Sequence, residues 1–378
     1  MESNGFIKPV SPPIKTVIVG AGSIAEEHVQ SLARIPQAQI VAVCDLDIQR
    51  AAKLASRFGI PGVFTSVGEM IEREKPDVAH VLTQPQNHVS VALECVNAGC
   101  HVFVEKPLGV SVRSCHELKS AAERRRVHVG VNHNVVFRPA FQELIELIRS
   151  RRMGRVHHVS VCFSLSPKSV NFQDPRLFMF QRPDSVVFEL GPHPFSLVRR
   201  LMGGPQEATA ICSSEMRVAG GKSFFACWHT TWRSERGTAQ VYLSAGIGHP
   251  DATVAVYGED AVAYADIMRH SVRLAENIDR PIHGQLYQDL QNAGARIRGA
   301  FLPVLSRFGK AIRRPEHPGL HSMLSSITSF YDALAKGVKP PESIDEAIQV
   351  VNYCEMTQTA ARTNGNALKA SIDGRGGL

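Results

Sequence analysis

The sequence predicts an α/β protein: a doubly wound parallel sheet first, then an α+β domain with an open, mainly antiparallel sheet. Three observations carry that prediction. Short apolar runs alternate with helical patterns through the first third of the chain. Beyond Gly154 the apolar residues instead recur at every second position. Between the first strand and the first helix stands Gly20-x-Gly22-x-x-Ala25, a turn suited to close backbone approach. The length, 378 residues, suits two or three domains at roughly 150 residues each.

Residues 1–14, rich in proline, read as a flexible tail. The runs at 16–20, 39–45, 63–66, 77–83, 101–106 and 127–133 read as buried parallel strands, Val-rich and without polar alternation. Between them, residues 24–35 set Ile24, His28 and Leu32 on one helical stripe, and two later helices end at Gly59 and Gly99. Strand and helix in turn build a parallel sheet, and 15–134 is assigned to this first domain. Arg124, Arg125 and Arg126 close its last helix and read as a solvated cap favoured by the helix dipole. The second domain, 135–378, opens with a helix after Pro139 whose Phe141, Leu144, Ile145 and Ile148 share a face. Val159, Val161, Phe163 and Leu165 then alternate with polar or small residues, which marks a strand with one face buried and one open. Similar runs recur near 206–213, 223–232, 238–245, 253–258 and 261–268. Trp228 and Trp232 share one side of such a strand and read as core or subunit contact.

The glycine turn predicts a dinucleotide site. Gly20 permits the tight turn, Gly22 lets the backbone approach a pyrophosphate, and Ala25 lets the helix pack on the strand. The pyrophosphate would sit on amides at the helix start. Asp45 ends the second strand 25 residues after Gly20. Such an acid accepts from the ribose 2′-hydroxyl and repels a 2′-phosphate, which favours NAD over NADP.

Further features join that turn. It continues to His28; the fifth strand ends in Glu105-Lys106-Pro107; and the second domain carries Gly191-x-His193 before Gly203-Gly204. Together they resemble the Gfo/Idh/MocA family of oxidoreductases, from about Lys15 to about Asn364. The segment QPQNHVSVALECVNAGCHVFVEKP is the most specific stretch of the resemblance. The resemblance implies a Rossmann domain and a second domain whose open sheet often builds homodimers or homotetramers. It implies hydride exchange at a carbinol carbon, commonly of a sugar, cyclitol or nucleotide-sugar. Cofactor contacts are expected at Gly20, Gly22, Ser23, Ile24, Asp45, Pro85, His88, Glu105 and Lys106. Lys106 is the expected catalytic lysine and His193 the acid/base or substrate-orienting group. An ammonium at a strand's carboxyl end can stabilise a forming alkoxide, and an imidazole titrates near neutrality. Glu189, four residues before His193, would share its helical face and steer the ring. The family usually has Asp there, and another where this chain has Ser196. His88 is expected to line the nicotinamide cleft or cap a helix. Asn132, His133 and Arg138 are the expected substrate contacts.

Composition narrows the alternatives. With 44% hydrophobic and 20% charged residues, the chain reads as globular. The N-terminus lacks the layout of a secretory leader, and the eight cysteines form no C-x-x-C pair, so reduced thiols in the cytoplasm are expected. No histidine or cysteine cluster has metal spacing. The net charge of +7 is local: residues 280–314 hold seven basic side chains and one acidic, Asp289. That stretch, within an expected basic amphipathic insertion at about 280–318, has an apolar stripe of Ile297, Phe301, Leu305, Phe308 and Ile312. It reads as a solvated face; a lid over an anionic substrate or a membrane-surface contact through 293–314 are the alternatives. Without interleaved aromatics or a reading motif, nucleic acid is not an expected partner. An NAD-retaining elimination or epimerisation enzyme and a non-catalytic dinucleotide sensor remain the other functional readings.

Overall fold

A computed structural model describes residues 9–276, 293–294 and 318–364. The basic segment 280–314 lies, apart from residues 293 and 294, outside the described residues. The chain divides into two compact units, Met1–Asn134 with Pro318–Asn352, and Val135–His317 with Tyr353–Leu378.

The first unit alternates strand and helix: β1 Ile14–Val19, α1 Ser23–Leu32, β2 Ala38–Cys44, α2 Ile48–Phe58, β3 Gly62–Phe64, α3 Val67–Glu74, β4 Val78–Val81, α4 His88–Asn97, β5 His101–Val104, α5 Val112–Arg125 and β6 Val129–Val131. Every strand lies where the apolar runs put one. All neighbours pair in parallel, in the order β3-β2-β1-β4-β5-β6. This order reverses direction between β1 and β4, and in such sheets ligands bind beyond the carboxyl ends at that point. Sheet and helices bury Ile14, Ile18, Val29, Leu32, Val43, Leu54 and Phe103 in one core. Arg124, Arg125 and Arg126 are exposed, as a solvated cap requires.

The second unit contains α6 Pro139–Arg149, β7 Val156–Leu165, α7 Val186–Leu190, α8 Pro192–Met202, β8 Pro205–Arg217, β9 Ser223–Ser234, β10 Gly237–Ala245, β11 Asp251–Gly258, β12 Ala261–Asp266 and β13 Ser271–Glu276. Its seven strands form one sheet, β13-β12-β11-β7-β10-β9-β8, antiparallel except for β7 with β10. α6 packs against β12 and β13, α7 against β9 and β10, and α8 against β7 and β10. The period of two holds over Val159 and Val161, buried, with His158, Ser160 and Cys162 half-buried between and beside them, and lapses at the strand's end, where Phe163 and Leu165 are half-buried and Ser164 is buried. Trp228 and Trp232 are core residues, and Trp232 meets Phe195 and Tyr353 edge-on at 5.0 and 5.2 Å. β13 was not foreseen; it is a six-residue edge strand with charged Arg273 at its centre, too short and polar to signal itself.

Two helices follow, α9 Pro318–Lys336 and α10 Ile344–Asn364. Sequence reading placed α9 with the second domain, because it follows that domain in the chain. The structure corrects this. Met323, Ile327, Phe330, Tyr331 and Leu334 on α9 join the first unit's core with Ile14, Ile18 and Phe103. β1 and β4, at the centre of a two-sided sheet, need such a cover. None of the described helices is long and apolar enough to cross a membrane.

Candidate active site

The glycine turn follows β1 directly. Gly20 has φ +102°, and a Cβ there would stand 2.7 Å from the Leu82 carbonyl oxygen. Gly22 has open space where a Cβ would project. The next helices carry their own caps: Asp47 accepts from the Gln49 N–H at 3.0 Å and Ser66 from the Glu69 N–H at 3.3 Å. α1 starts after Gly22 with no side-chain cap; its Ala25 N–H turns back to the Gly22 carbonyl at 3.2 Å, which leaves the Ser23 and Ile24 amides to an anion. Ser23 is exposed at that start and Ile24 half-buried. Asp45 Oδ2 accepts from the Ala21 N–H at 2.6 Å and Oδ1 from the Asp47 N–H at 2.8 Å. Its carboxylate is thus fixed against the glycine turn, where a ribose diol would lie. An uncapped helix start, an uncrowded Gly22 and a carboxylate beside them fit a dinucleotide.

At the end of β5, Glu105 is buried and Lys106 half-buried. Glu105 Oε1 accepts from Asn132 Nδ2 at 2.6 Å and contacts His28 Nε2 at 2.8 Å; Oε2 accepts from the Lys106 backbone N–H at 3.1 Å. Burial alone would raise this carboxyl. The bond and charge of His28, the Asn132 amide and the Lys106 ammonium outweigh burial and hold it at about 2. Glu105 is therefore an ionised, immobilised carboxylate at the root of the Lys106 loop.

The other first-unit candidates serve the loops. His88 is 1% exposed, with Nδ1 2.6 Å from the Pro107 carbonyl and Nε2 2.9 Å from that of Thr83. Burial lowers its pKa, against the pull of these carbonyls. Its ring ties the loops after β4 and β5. Pro85, half-buried, starts a short 3-10 turn in the same loop. Asn132 gives its amide N–H to Glu105. His133, 1% exposed, has Nδ1 2.9 Å from Glu342 Oε2, while Val131 N–H donates to the Glu342 carbonyl at 3.0 Å. That pair pins the segment between α9 and α10 to β6.

In the second unit, Glu189 and His193 are half-buried. Gly191 continues the helical path between them: its N–H donates to Val187 and its carbonyl accepts from Phe195, at 3.0 and 2.9 Å. The four-residue spacing therefore has helical geometry. His193 stacks on Phe163 with ring centroids 5.4 Å apart, and Ser196 Oγ donates to the His193 carbonyl at 2.8 Å. The position where the family often has a second acid thus braces the backbone. Ahead of α7, fully buried Asp184 accepts from Arg182 at 3.0 Å and from Arg362. Arg138, with burial lowering its pKa, is the residue immediately before α6.

Sequence reasoning named His28 without a role and missed His80, Tyr331, Glu342 and Asp184. His80 had a signal, a lone polar side chain in the apolar run of β4. Tyr331 and Glu342 had none, because their partners lie some 200 residues or more away in sequence.

Comparison with known proteins accounts for both sheets. Residues 14–133 match the oxidoreductase family model with an NAD-binding Rossmann fold, and residues 141–264 match the GFO/IDH/MocA C-terminal domain. D-apiose dehydrogenase from Paraburkholderia graminis is 26% identical over 54% of this chain and 53% of its own length. Myo-inositol 2-dehydrogenase from Thermotoga maritima is 23% identical over 80% of this chain and 89% of its own. The chain spans about half the length of most of the curated relatives it matches, 54% for the uncharacterised oxidoreductase YrbE of Bacillus subtilis. The WlbA dehydrogenase of Bordetella pertussis, solved with NADH and UDP-GlcNAcA, shares the fold with a TM-score of 0.75 at 16% identity, over 94% of this chain and 97% of that one. The first unit is an NAD-binding Rossmann domain, and the chain belongs to the Gfo/Idh/MocA family of oxidoreductases.

Proposed function

We propose that the chain is an NAD-dependent oxidoreductase moving hydride between nicotinamide and a hydroxyl or keto carbon of a sugar, cyclitol or nucleotide-sugar. The observation that carries the reading is a half-buried lysine, Lys106, directly after β5. It is rooted on an ionised Glu105, at the sheet edge where the uncapped turn of α1 also opens. Gly20, Gly22, Ser23, Ile24 and Asp45 would hold the dinucleotide, which supplies the hydride acceptor or donor when bound. Lys106 stabilises negative charge on the reacting oxygen, or gives that oxygen a proton in the reductive direction. His88 and Glu105 keep the Lys106–Pro107 loop in place. From the second unit, His193 is the proposed acid/base or orienting group, with Glu189 in the place of the family's acid. Residues 15–134, with the core helix α9 packed on them, are the proposed NAD-binding domain, and the proposed substrate domain begins at residue 135. The open sheet face of the second unit is the proposed surface for a homodimer or homotetramer, and the cytoplasm the proposed location.

Lys106→Ala tests the reading. NADH formation across a panel of sugars, cyclitols and nucleotide-sugars is expected to fall about a hundredfold or more, while NAD binding measured by calorimetry stays as in the parent. Normal turnover in the variant would remove Lys106 from the reaction.

A further inference from the structure

Glu189 and His193 ride on a helical run whose first turn is held from outside. α7 has five residues, too few for a helix to persist in water by itself. Glu189 N–H donates to the Ser185 carbonyl at 3.0 Å, Gly191 N–H to that of Val187 at 3.0 Å, and Phe195 N–H to that of Gly191 at 2.9 Å. A displacement of residues 184–187 is therefore handed to Glu189 directly, and to the turn of His193 through Gly191. Burial of Val186, Val187, Phe188 and Leu190 holds α7 down on its neighbours. Apolar contact has no preferred direction, however, and lets a short helix slide or turn.

Directional contacts come from α10. Three of its donors stand four residues apart, on one stripe, and all meet that first turn. The Cys354 thiol lies 3.6 Å from the Val187 carbonyl, Gln358 Nε2 donates to the Asp184 carbonyl at 3.0 Å, and Arg362 donates to the Asp184 carboxyl. Asp184 is 0% and Gln358 9% exposed, so water competes little for these bonds. Next to Cys354, the Tyr353 hydroxyl donates to the Gly203 carbonyl at 2.8 Å, just past the end of α8. One helix thus holds the run at both ends, and all of these residues belong to the second unit. Beyond α10, the Phe225 N–H of β9 donates to the Pro183 carbonyl at 3.0 Å. Arg182 also donates to Asp184, but from two residues away, and so ties the turn to no other element.

We propose that Arg362 and Gln358 are positioning residues for Glu189 and His193: from one stripe of α10 they fix the register of the turn that carries both side chains. The proposal rests on the reading of His193 as the acid/base or orienting group. Stability alone would be served as well by apolar side chains at 358 and 362, because burying polar groups returns little net energy even when they are paired. A hydrogen bond adds what apolar packing lacks, a set distance and direction. Both residues act through the backbone of residues 184–187 and neither is assigned a contact with substrate.

The test uses the full chain with labelled histidines. The stack of His193 on Phe163 places its ring signals in that neighbour's ring current, and the set lost in His193→Gln assigns them. Arg362→Leu is expected to move the His193 signals away from their stacked values and to leave those of exposed His229 in place. Arg362→Lys keeps a cationic N–H donor for Asp184 and is expected to return most of that shift. Gln358→Leu, which alters no charge, replaces Arg362→Leu if that variant does not fold. His193 signals equal to the parent's in the folded variant, or displaced as far in Arg362→Lys as in Arg362→Leu, overturn the proposal. A role in stability alone lowers the melting temperature without moving them. Turnover on the same sugar, cyclitol and nucleotide-sugar panel separates the two readings. In Arg362→Leu, kcat is expected to fall about tenfold or more, with a smaller change in KM and NAD affinity as in the parent. If His193→Gln is slow and Arg362→Leu is not, the positioning role fails. If His193→Gln turns over normally, the reading of His193 fails, and the hold of α10 on its ring is judged by the spectra alone.

Discussion

Glu105 shows how one side chain serves both stability and chemistry. Its folded pKa, about 2, lies below the ordinary 4.5. A depressed carboxyl stabilises the fold fully above the unfolded value and loses that contribution as pH falls through the folded one. The window is therefore about pH 4.5 down to about pH 2, and the contribution is of order 3 kcal/mol. Glu105→Gln is expected to flatten stability against pH across that window while lowering stability near neutrality, measured by urea unfolding at each pH. Equal slopes in parent and variant would show that other carboxyls dominate. The two glycines of the turn separate fold from ligand in the same way. Gly20→Ala puts a Cβ 2.7 Å from the Leu82 carbonyl at φ +102°, so it should cost a few kcal/mol of stability. Gly22→Ala meets nothing in the protein and should leave the melting temperature unchanged while weakening NAD binding about tenfold or more. Comparable losses of stability in both would mean that the turn, and not the ligand, requires Gly22.

At the scale of elements, what was legible in the sequence was what is local. The six parallel strands, the switch to alternation after Gly154 and the glycine turn each fit inside a short window, and each is where the pattern put it. The roles of the buried histidines were not legible, because they depend on partners brought by other elements. His88, read as a cleft or helix-cap residue, clasps two loops, and His133, read as a substrate contact, meets Glu342. A periodic pattern reports which face is buried and not which polar atoms meet there. α9 is the clearest case, since it follows the second domain in the chain and packs in the core of the first unit. Ile327, 0% exposed in the first unit's core, makes this measurable. Ile327→Ala should cost about 2–5 kcal/mol of that unit's stability, read by NAD-free thermal unfolding. A negligible change would put α9 outside the core.

For the whole molecule, the first unit is assembled from residues 1–134 and 318–352, with the second unit's strands encoded in between. Sequence distance, and not spatial distance, then governs the order of events during synthesis. While the ribosome is adding the strands of the second sheet, β1 and β4 already exist, but the side chains of α9 that will shield them have not been made. His80 in that interval lacks the Tyr331 hydroxyl, and His133 lacks Glu342. The nascent chain carries an uncovered apolar sheet face for nearly two hundred codons, the condition under which chaperones are recruited. A stalled chain released before codon 318 should resist proteolysis less in residues 9–134 than one released after codon 352.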